Sequence, residues 1–242
     1  MTEPSAPVSL VTGSVRGLGL AVARALAARG DRTHVVWRGS GDLAAEREAE
    51  FPGRVHAADL ARPGAARALV SEVLEQDGRL DHVVHAVGAY TSDPLEATSF
   101  EDWRSMLESN LETSIHLGDA VRQALRDSRG TLVFFGCAGL DGLGARHTAA
   151  AYCAAKSALL VYARSLALEE APHGVRVNMI SPGLVPHEHA HEETSEPARL
   201  AGIPMGRPGR PEEIAEAALW LSSGRSSYTV GADLPVSGGW LL

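Results

Sequence analysis

Aromatic residues and cysteine are both scarce in this chain. Phe, Trp and Tyr make up 5% of the 242 residues, and Cys137 and Cys153 are the two cysteines. Two cysteines do not make a disulfide framework, and no Cys and His spacing matches a structural zinc site. No apolar run reaches the length of a membrane span, and residues 1–6 lack the basic and apolar regions of a signal peptide. We therefore expect a cytoplasmic protein with no metal and no membrane partner.

Positive charge is also in deficit. Lys and Arg total 22 against 30 Asp and Glu, which gives a formal net charge of -8 at pH 7. This excess of acidic groups argues against a nucleic-acid partner. With 45% hydrophobic residues, the chain is long enough for one well-buried core and too short to argue for two. We predict a single domain over residues 1–242.

The chain does contain a regular alternation of strand-like and helix-like segments. Short apolar runs typical of buried strands occur at 8–11, 33–37, 54–58, 82–85, 132–135, 175–180 and 232–236, and helical patterns fill the gaps. This alternation predicts a doubly wound (Rossmann-type) α/β fold, with a parallel sheet of about seven strands and helices on both faces. Only residues 186–211, rich in His, Glu and Pro, break the rhythm. Ligands of such sheets bind beyond the carboxyl ends of the strands.

The first strand runs directly into a glycine-rich turn. Residues 12–19 read Thr-Gly-Ser-Val-Arg-Gly-Leu-Gly, and Gly30 closes the helix that follows. Backbone N–H groups and a positive helix end can approach a diphosphate where glycine leaves room. The spacing differs from the G-x-G-x-x-G fingerprint, and a structural turn without a ligand is the alternative.

Tyr152 and Lys156 lie four residues apart in an alanine-rich run that is typical of a helix. Four residues place both side chains on one face. We expect the nearby ammonium to lower the phenol pKa from about 10, so that Tyr152 can give or take a proton near neutral pH. A surface pair without function is the alternative.

The glycine turn followed by Tyr-x-x-x-Lys closely resembles the short-chain dehydrogenase/reductase family over nearly the whole chain. Further matches are Asp59-Leu60 after the third strand, Asn110 in the long central helix, Ser181-Pro182-Gly183 after the sixth strand and Val236-Ser-Gly-Gly239. The most similar subgroup is the 3-oxoacyl-carrier-protein reductase type. Substrates in this family range over acyl thioesters, sugars, steroids and pteridines, so the resemblance does not identify the substrate or the physiological direction.

The resemblance implies a nicotinamide cofactor and a set of site residues. The implied catalytic residues are Asn110, Cys137, Tyr152 and Lys156. The implied cofactor contacts are Gly13, Ser14, Arg16, Gly17, Leu18, Gly19, Arg38, Asp59, Leu60, Gly88, Tyr152, Lys156, Pro182, Gly183 and Val185. By the same resemblance Tyr152 is the general acid, and Lys156 also binds the nicotinamide ribose.

The resemblance assigns three further features of the chain. The family's equivalent of Asn110 holds a water that links the lysine to a proton path, and a purely structural amide is the alternative. Residues 186–211 correspond to a mobile flap over the substrate. The helices that carry Asn110 and Tyr152 correspond to the contacts of a homodimer or homotetramer.

Charge favours NADP(H) over NAD(H). The second strand ends at Trp37-Arg38-Gly39, where an acidic residue would bond the ribose hydroxyls of NAD. Arg38 and Arg16 together suit a 2′-phosphate, although Arg38 has the alternative role of a solvated loop residue. Asp59 is expected to accept from the adenine amino group, and its alternative role is the N-cap of the next turn.

The loop after the fifth strand contains no serine, although family members have one there to bond the substrate oxygen. Cys137 takes this place by strand alignment, as a weaker donor, and Thr148 is a less favoured substitute. An inert, packed cysteine is the alternative. Next to Lys156 and an oxidised nicotinamide, we expect Cys137 to be a thiolate open to alkylation. Cys153 is expected to face elsewhere.

Histidines mark two other departures from the family. His85-Ala-Val-Gly88 replaces an Asn-Asn-Ala-Gly pattern, and we interpret His85 as a core histidine rather than a catalyst. His187 stands where a Thr usually meets the cofactor, and His189 and His191 follow. Metal binding by this alternating set is less favoured than a solvated lid or substrate contacts.

We expect an NADP(H)-dependent oxidoreductase that transfers a hydride between the nicotinamide and the carbonyl or hydroxyl carbon of a small-molecule substrate. The other hypothesis is a catalytically impaired NADP-binding regulator or scaffold, which the missing serine permits and the retained Tyr152 and Lys156 disfavour. An enoyl reductase is a weaker alternative, because the Tyr-to-Lys gap of four favours carbonyl chemistry.

Overall fold

A computed structural model describes residues 6–39, 41–140, 142, 144–186 and 201–241. Within these residues the strands are β1 (Val8–Thr12), β2 (Arg32–Trp37), β3 (Val55–Ala57), β4 (His82–His85), β5 (Thr131–Phe135), β6 (Arg176–Pro182) and β7 (Asp233–Val236). They form one parallel sheet in the order β3-β2-β1-β4-β5-β6-β7. The predicted doubly wound fold is confirmed, and every strand begins and ends within two residues of its predicted bounds.

Helices cover both faces of the sheet. They are α1 (Gly17–Arg29), α2 (Gly41–Glu50), α3 (Ala65–Asp77), α4 (Phe100–Leu107), α5 (Thr113–Ser128), α6 (Ala150–Glu170) and α7 (Pro211–Leu221). Successive β1 residues serve opposite faces, as the period of two requires. Leu10 packs with α3, α5 and α6 residues, whereas Val11 packs with α1 and α7 residues, and both are fully buried. This double burial explains why the strands are continuous apolar runs.

The strand order reverses between β1 and β4. The chain moves outward from β1 to β3 and returns to place β4 on the other side of β1. Thr12 at the end of β1 pairs with His85 at the end of β4, and the Ala86 N–H donates to the Thr12 carbonyl at 3.1 Å. A crevice forms at such a reversal, beyond the carboxyl ends of the strands.

The long central helix is not regular. The sequence indicates one long central helix around Asn110, but a single π turn, Glu108–Glu112, separates α4 from α5. Asn110 lies in that turn and is fully buried. The π turn changes which backbone groups pair along the helix. The Ser114 hydroxyl donates to the Asn110 carbonyl at 2.8 Å, so this backbone acceptor has a donor. Single π turns within helices are frequent at functional sites.

Most of the 186–211 segment, including His187, His189 and His191, lies outside the described residues. At its described end, the Gly209 N–H donates to the Leu184 carbonyl at 2.9 Å, and Ile203 is buried. None of the helices that the structure describes is long and apolar enough to cross a membrane.

Candidate active site

The glycine turn brings three backbone segments into direct contact. Gly13 has φ +69°, and a Cβ there would lie 2.6 Å from the Ala86 carbonyl oxygen beyond β4. A Cβ on Gly19 would lie 2.3 Å from the Gly13 oxygen. Since α1 begins at Gly17, its positive N-terminal end opens onto this crowded edge. The turn therefore presents bare backbone at the crevice between β1 and β4.

Several predicted cofactor contacts have their side chains committed to the protein itself. The Ser14 hydroxyl donates to the Val11 carbonyl at 2.5 Å and accepts from the Val36 N–H at 2.9 Å. Leu60 and Val185 are buried in the core on opposite faces of the sheet. These three residues can therefore offer a cofactor only their backbone groups.

Arg38 is tied to Asp59 beyond the ends of β2 and β3. Its Nη1 lies 3.2 Å from Asp59 Oδ1, and Arg62 Nε lies 3.4 Å from Oδ2. Burial pushes the pKa of Asp59 upward, but hydrogen bonds from Arg38 and the Ala61 N–H, with the two arginine charges, outweigh it and hold the pKa below its usual value. Arg16 is exposed at the N-cap of α1. The cations therefore outnumber the carboxylate here.

Tyr152 and Lys156 do lie on one face of α6. The Lys156 Nζ is 5.8 Å from the centre of the Tyr152 ring and donates to the Phe135 carbonyl at 2.7 Å. Ala149, the residue before α6, has a left-handed backbone with φ 60°, and its N–H donates to the Asp93 carbonyl. A left-handed backbone is strained in a residue other than glycine, so the surrounding contacts must hold Ala149 in it. Ala149 fixes where α6 begins, and so where Tyr152 lies.

The predicted direction of the Tyr152 pKa is wrong for this structure. Burial, followed by the neighbouring Cys137, Cys153 and Tyr90, raises the pKa of the phenol well above 10. The physical reason is that Lys156 Nζ lies over the ring and bonds to Phe135, not to the phenol oxygen. Burial also lowers the pKa of Lys156 to about 8, against a smaller opposing effect of Cys137. Lys156 is the only lysine in the 242 residues.

The Asn110 side chain has one half bonded to backbone and one half without a hydrogen-bond donor among the described residues. Its Nδ2 donates to the carbonyls of Ala89 and Met106 at 3.0 and 3.1 Å, so the amide is held by backbone. Its Oδ1 is buried and accepts no hydrogen bond from the described residues. A Cβ on Gly88 would lie 2.2 Å from this oxygen and 3.2 Å from Lys156 Nζ. Gly88 is therefore required by the site's own side chains, and a free acceptor faces the Lys156 region.

The two cysteines interact electrostatically. The neighbouring Cys153 first, and then burial, raises the pKa of the Cys137 thiol. Cys137 in turn lowers the pKa of Cys153 to about 7, and the Arg146 charge acts in the same direction. Cys137 is thus a thiol rather than the predicted thiolate, because Lys156 and Arg146 only partly offset these effects. Cys137 also acts on the site, since it raises the pKa of Tyr152 and opposes the fall in the pKa of Lys156.

His85 is structural, as interpreted from the sequence. Its Nδ1 lies 2.7 Å from the Thr12 hydroxyl and its Nε2 lies 3.3 Å from the Thr113 hydroxyl. Because Thr113 donates to the Ser109 carbonyl, we assign the proton to Nε2 and the acceptor role to Nδ1. Burial, with the Lys156 charge, lowers the pKa of His85 to about 3. A neutral His85 therefore joins β1, β4 and α5.

Sequence reasoning missed Tyr90. Its ring packs edge-on against Tyr152 with 5.0 Å between centres, and it directly follows Ala89, whose carbonyl accepts from Asn110 Nδ2. The available signal was its position two residues after Gly88. In the part of the chain that the structure describes, no group of three or more His, Cys, Asp or Glu side chains is placed to hold a metal ion.

A bare glycine turn at the reversal of a parallel sheet, with a half-buried Tyr and a buried Lys beside it, defines an oxidoreductase of the dinucleotide-binding Rossmann type. The family model described as "Enoyl-(Acyl carrier protein) reductase" matches residues 13–241. The chain belongs to the short-chain dehydrogenase/reductase family.

Named relatives span different substrates. The chain is 30% identical to the 3-oxoacyl-[acyl-carrier-protein] reductase FabG of Escherichia coli, covering 97% of each chain. It is 34% identical to the D-threitol dehydrogenase of Mycolicibacterium smegmatis, covering 97% of this chain and 93% of that one. The structure of a Pseudomonas aeruginosa RhlG/NADP active-site complex matches with a TM-score of 0.87 and 31% identity, covering 98% and 96%.

Proposed function

We propose that this protein is an NADP(H)-dependent oxidoreductase that interconverts a carbonyl and a hydroxyl group on a small molecule. The observation that carries the proposal is the convergence of Tyr152, Lys156 and the free Oδ1 of Asn110 beside the bare glycine turn. These groups come from α6, the π turn and the β1–α1 connection, so only the fold brings them together.

The described residues fit a nicotinamide dinucleotide. The backbone at Gly13 and Gly19 leaves no room for side chains, and the α1 N-terminus suits a diphosphate. Asp59, Gly88 and Gly183 lie beyond the carboxyl ends of their strands, and Pro182 is the last residue of β6, as a cofactor across this edge requires. Gly183 packs so closely on Ser237 that a Cβ would lie 2.6 Å from its Cα. When bound, the nicotinamide supplies or accepts the hydride.

The chain's own residues handle the proton. Tyr152 donates its phenolic proton to the carbonyl oxygen in the reductive direction, and its raised pKa keeps it protonated at neutral pH. Lys156, with a pKa near 8, supplies a proton toward Tyr152 after Tyr152 has given up its own. Asn110 Oδ1 holds the acceptor position next to Lys156. Cys137 Sγ, beside Tyr152, takes the position of the donor that orients the substrate oxygen.

NADP(H) is the proposed cofactor because the adenosine end of the site is cationic. Arg38 keeps 65% of its side chain exposed although it pairs with Asp59, and Arg16 is exposed across the turn. Two guanidiniums suit a phosphate dianion better than ribose hydroxyls. The neighbouring RhlG structure is described as an NADP complex, which agrees with this choice.

The relatives suggest two substrate classes, 3-oxoacyl thioesters and polyols or sugars. The test is NADPH oxidation against a carbonyl panel that includes an acetoacetyl thioester, with NADP reduction against polyols and sugars in parallel. We expect turnover on at least one carbonyl or alcohol, and none on an enoyl thioester. Turnover confined to the enoyl thioester would contradict carbonyl chemistry.

A non-catalytic NADP-binding protein is the second candidate. The specific observation in its favour is a thiol, a weaker donor, at the position of the orienting serine. Tight NADPH binding without turnover on any substrate of the panel would support it over the enzyme.

We also propose a homo-oligomer that buries the outer faces of α4 and α6. Phe100, Val161 and Leu168 are large apolar residues that are 74, 67 and 78% exposed on these helices. Light scattering at several protein concentrations tests this, and a monomer at all of them would contradict it.

A further inference from the structure

A polar cleft lies at the amino ends of the central strands, at the opposite edge of the sheet from the candidate active site. Its volume is about 470 Å³, within the range of small-molecule sites. His82, Thr131 and Arg176, the first residues of β4, β5 and β6, line it and pair in register. Arg129 at the end of α5 and Ser222 at the end of α7 complete it. The glycine turn and Tyr152 have no part in this cleft.

The acidic groups near the cleft are already neutralised. No acidic side chain is among the described residues that line it. Asp31 and Asp81, the carboxylates that act on His82, are paired with Arg29 and Arg79 respectively. Burial, followed by the Arg29 charge, lowers the pKa of His82 to about 4, so this ring is neutral at neutral pH. The charge of the cleft therefore depends on its two arginines.

Neither of these arginines has a carboxylate partner in the part of the chain that the structure describes. Arg176 Nη1 donates to the Ser226 carbonyl and hydroxyl at 3.0 and 2.7 Å, and Nη2 donates to the Ser223 carbonyl at 3.0 Å. These neutral acceptors hold the guanidinium in place and leave its charge uncompensated. Arg129 lines the same cleft and forms no hydrogen bond or ion pair with a described residue. Two uncompensated cations thus face one cleft in a chain whose net charge is -8.

Ser222 adds a hydroxyl group without a partner. The residue is 1% exposed, and its Oγ forms no hydrogen bond with the described residues. Its backbone is satisfied, because its N–H donates to the Ala218 carbonyl at 2.9 Å and its carbonyl accepts from Arg29 Nη1 at 3.2 Å. A buried hydroxyl left unpaired costs free energy. A ligand in the cleft would supply the missing acceptor.

Arg129 occupies a backbone position that favours glycine. It ends α5 with φ 54° and ψ 45°, the left-handed conformation that glycine usually supplies at a helix end. Gly174 makes room for its side chain, since a Cβ on Gly174 would lie 3.2 Å from Arg129 Cγ. The chain therefore carries a guanidinium at the cleft in spite of backbone strain.

We propose that this cleft is a second ligand site, which binds the phosphate group of a small organic phosphate. The Arg129 and Arg176 guanidiniums and the Ser222 hydroxyl donate to the phosphate oxygens, and two uncompensated cations match a phosphate dianion. Val175 and Val230 line the same cleft and offer apolar surface to the carbon part of the ligand. The proposal does not rest on the proposed oxidoreductase activity.

The test is isothermal titration calorimetry of the full-length protein with phenyl phosphate, with and without NADP. We expect one phenyl phosphate per chain, bound more tightly than inorganic phosphate, benzoate or phenol, with an affinity that NADP does not change. Absence of binding, or loss of binding when NADP is added, would overturn the proposal. Benzoate bound as tightly as phenyl phosphate would overturn the assignment to a phosphate.

Two variants separate a ligand site from a structural role. Arg129→Gly places glycine at a positive φ, and Ser222→Ala removes a hydroxyl that has no partner, so we expect unfolding temperatures equal to or above that of the parent. Each variant should nevertheless weaken phenyl phosphate at least about fivefold, because each removes a donor to a charged group. Unchanged affinity in both variants would show that phenyl phosphate binds elsewhere.

The matched control is Arg225→Ala. Arg225 is exposed three residues beyond Ser222 and does not line the cleft. We expect its loss to change the affinity by less than about twofold, since an exposed charge acts only weakly through solvent. A loss as large as that in Arg129→Gly would reveal general attraction to a basic surface and would refute a defined site.

Discussion

The buried ammonium of Lys156 makes a quantitative prediction about stability. Its pKa falls from 10.5 to about 8 on folding, so between these values the unfolded chain binds more protons than the folded one. Folding is therefore opposed below pH 8, and this opposition is lost as pH rises toward 10.5. For one group with these two pKa values, the relief between pH 7 and pH 10 is about 2 to 3 kcal/mol.

The perturbation that isolates this effect is Lys156→Met. Urea unfolding of the parent and the variant is measured at pH 7 and pH 10, at one fixed protein concentration. The variant also loses the bond to the Phe135 carbonyl, but that loss is present at both pH values and cancels in the double difference. We expect the parent to gain about 2 to 3 kcal/mol relative to the variant between pH 7 and pH 10.

The chain is well suited to this measurement because it contains no second lysine. Arginines stay charged throughout, and the tyrosines and cysteines titrate in both proteins. A lysine labelled with 13C gives one side-chain signal, whose shift titrates directly. A stability difference that does not change with pH, together with a titration midpoint near 10.5, would refute the desolvation of Lys156.

Three further predictions concern the site. Tyr152→Phe should lower turnover by at least about a hundredfold and change NADPH affinity by only a few-fold, because it deletes only the proton donor; steady-state kinetics and fluorescence titration measure the two quantities. Replacing Arg16 and Arg38 together by Ala should weaken NADPH far more than NADH, by about 1.5 to 3 kcal/mol per contact, whereas exposed Arg67→Ala on α3 should change neither. Equal weakening of both cofactors would show that the arginines do not read the phosphate. Cys137→Ser should preserve or raise turnover and Cys137→Ala should lower it; equal activity of the two variants would assign the thiol to packing.

Local patterns explain why much of the fold was predictable. The central strands are buried apolar runs such as 8–12, and Gly30 ends α1 with φ 104°, so local residues mark these elements. The Tyr152 and Lys156 pair was predictable for the same reason, since a spacing of four residues fixes a shared helical face. These features depend on a few neighbouring residues and not on how distant segments pack.

The features that were not predicted depend on tertiary packing. The pKa of Tyr152 is raised by burial, and Lys156 does not offset this because it bonds to the carbonyl of Phe135. Phe135 is 21 positions away from Lys156 in the sequence. The electrostatic interaction between Cys137 and Cys153 depends on the loop after β5 lying near the start of α6. The π turn inserts one residue into a helix whose apolar pattern continues on both sides, so the pattern alone does not reveal it.

The π turn at 108–112 also sets how far α5 is rotated relative to α4 about the helix axis. It holds one residue more than a regular turn would, and each residue of an α-helix rotates the next by about 100°. Deleting one residue there would let α4 and α5 join as a regular helix, with everything after the junction turned by that angle. Leu117, Val121 and Leu125, now fully or almost fully buried, would leave the face that packs on the sheet. Insertions and deletions in homologous chains should therefore avoid this turn, even where its outer residues are exposed.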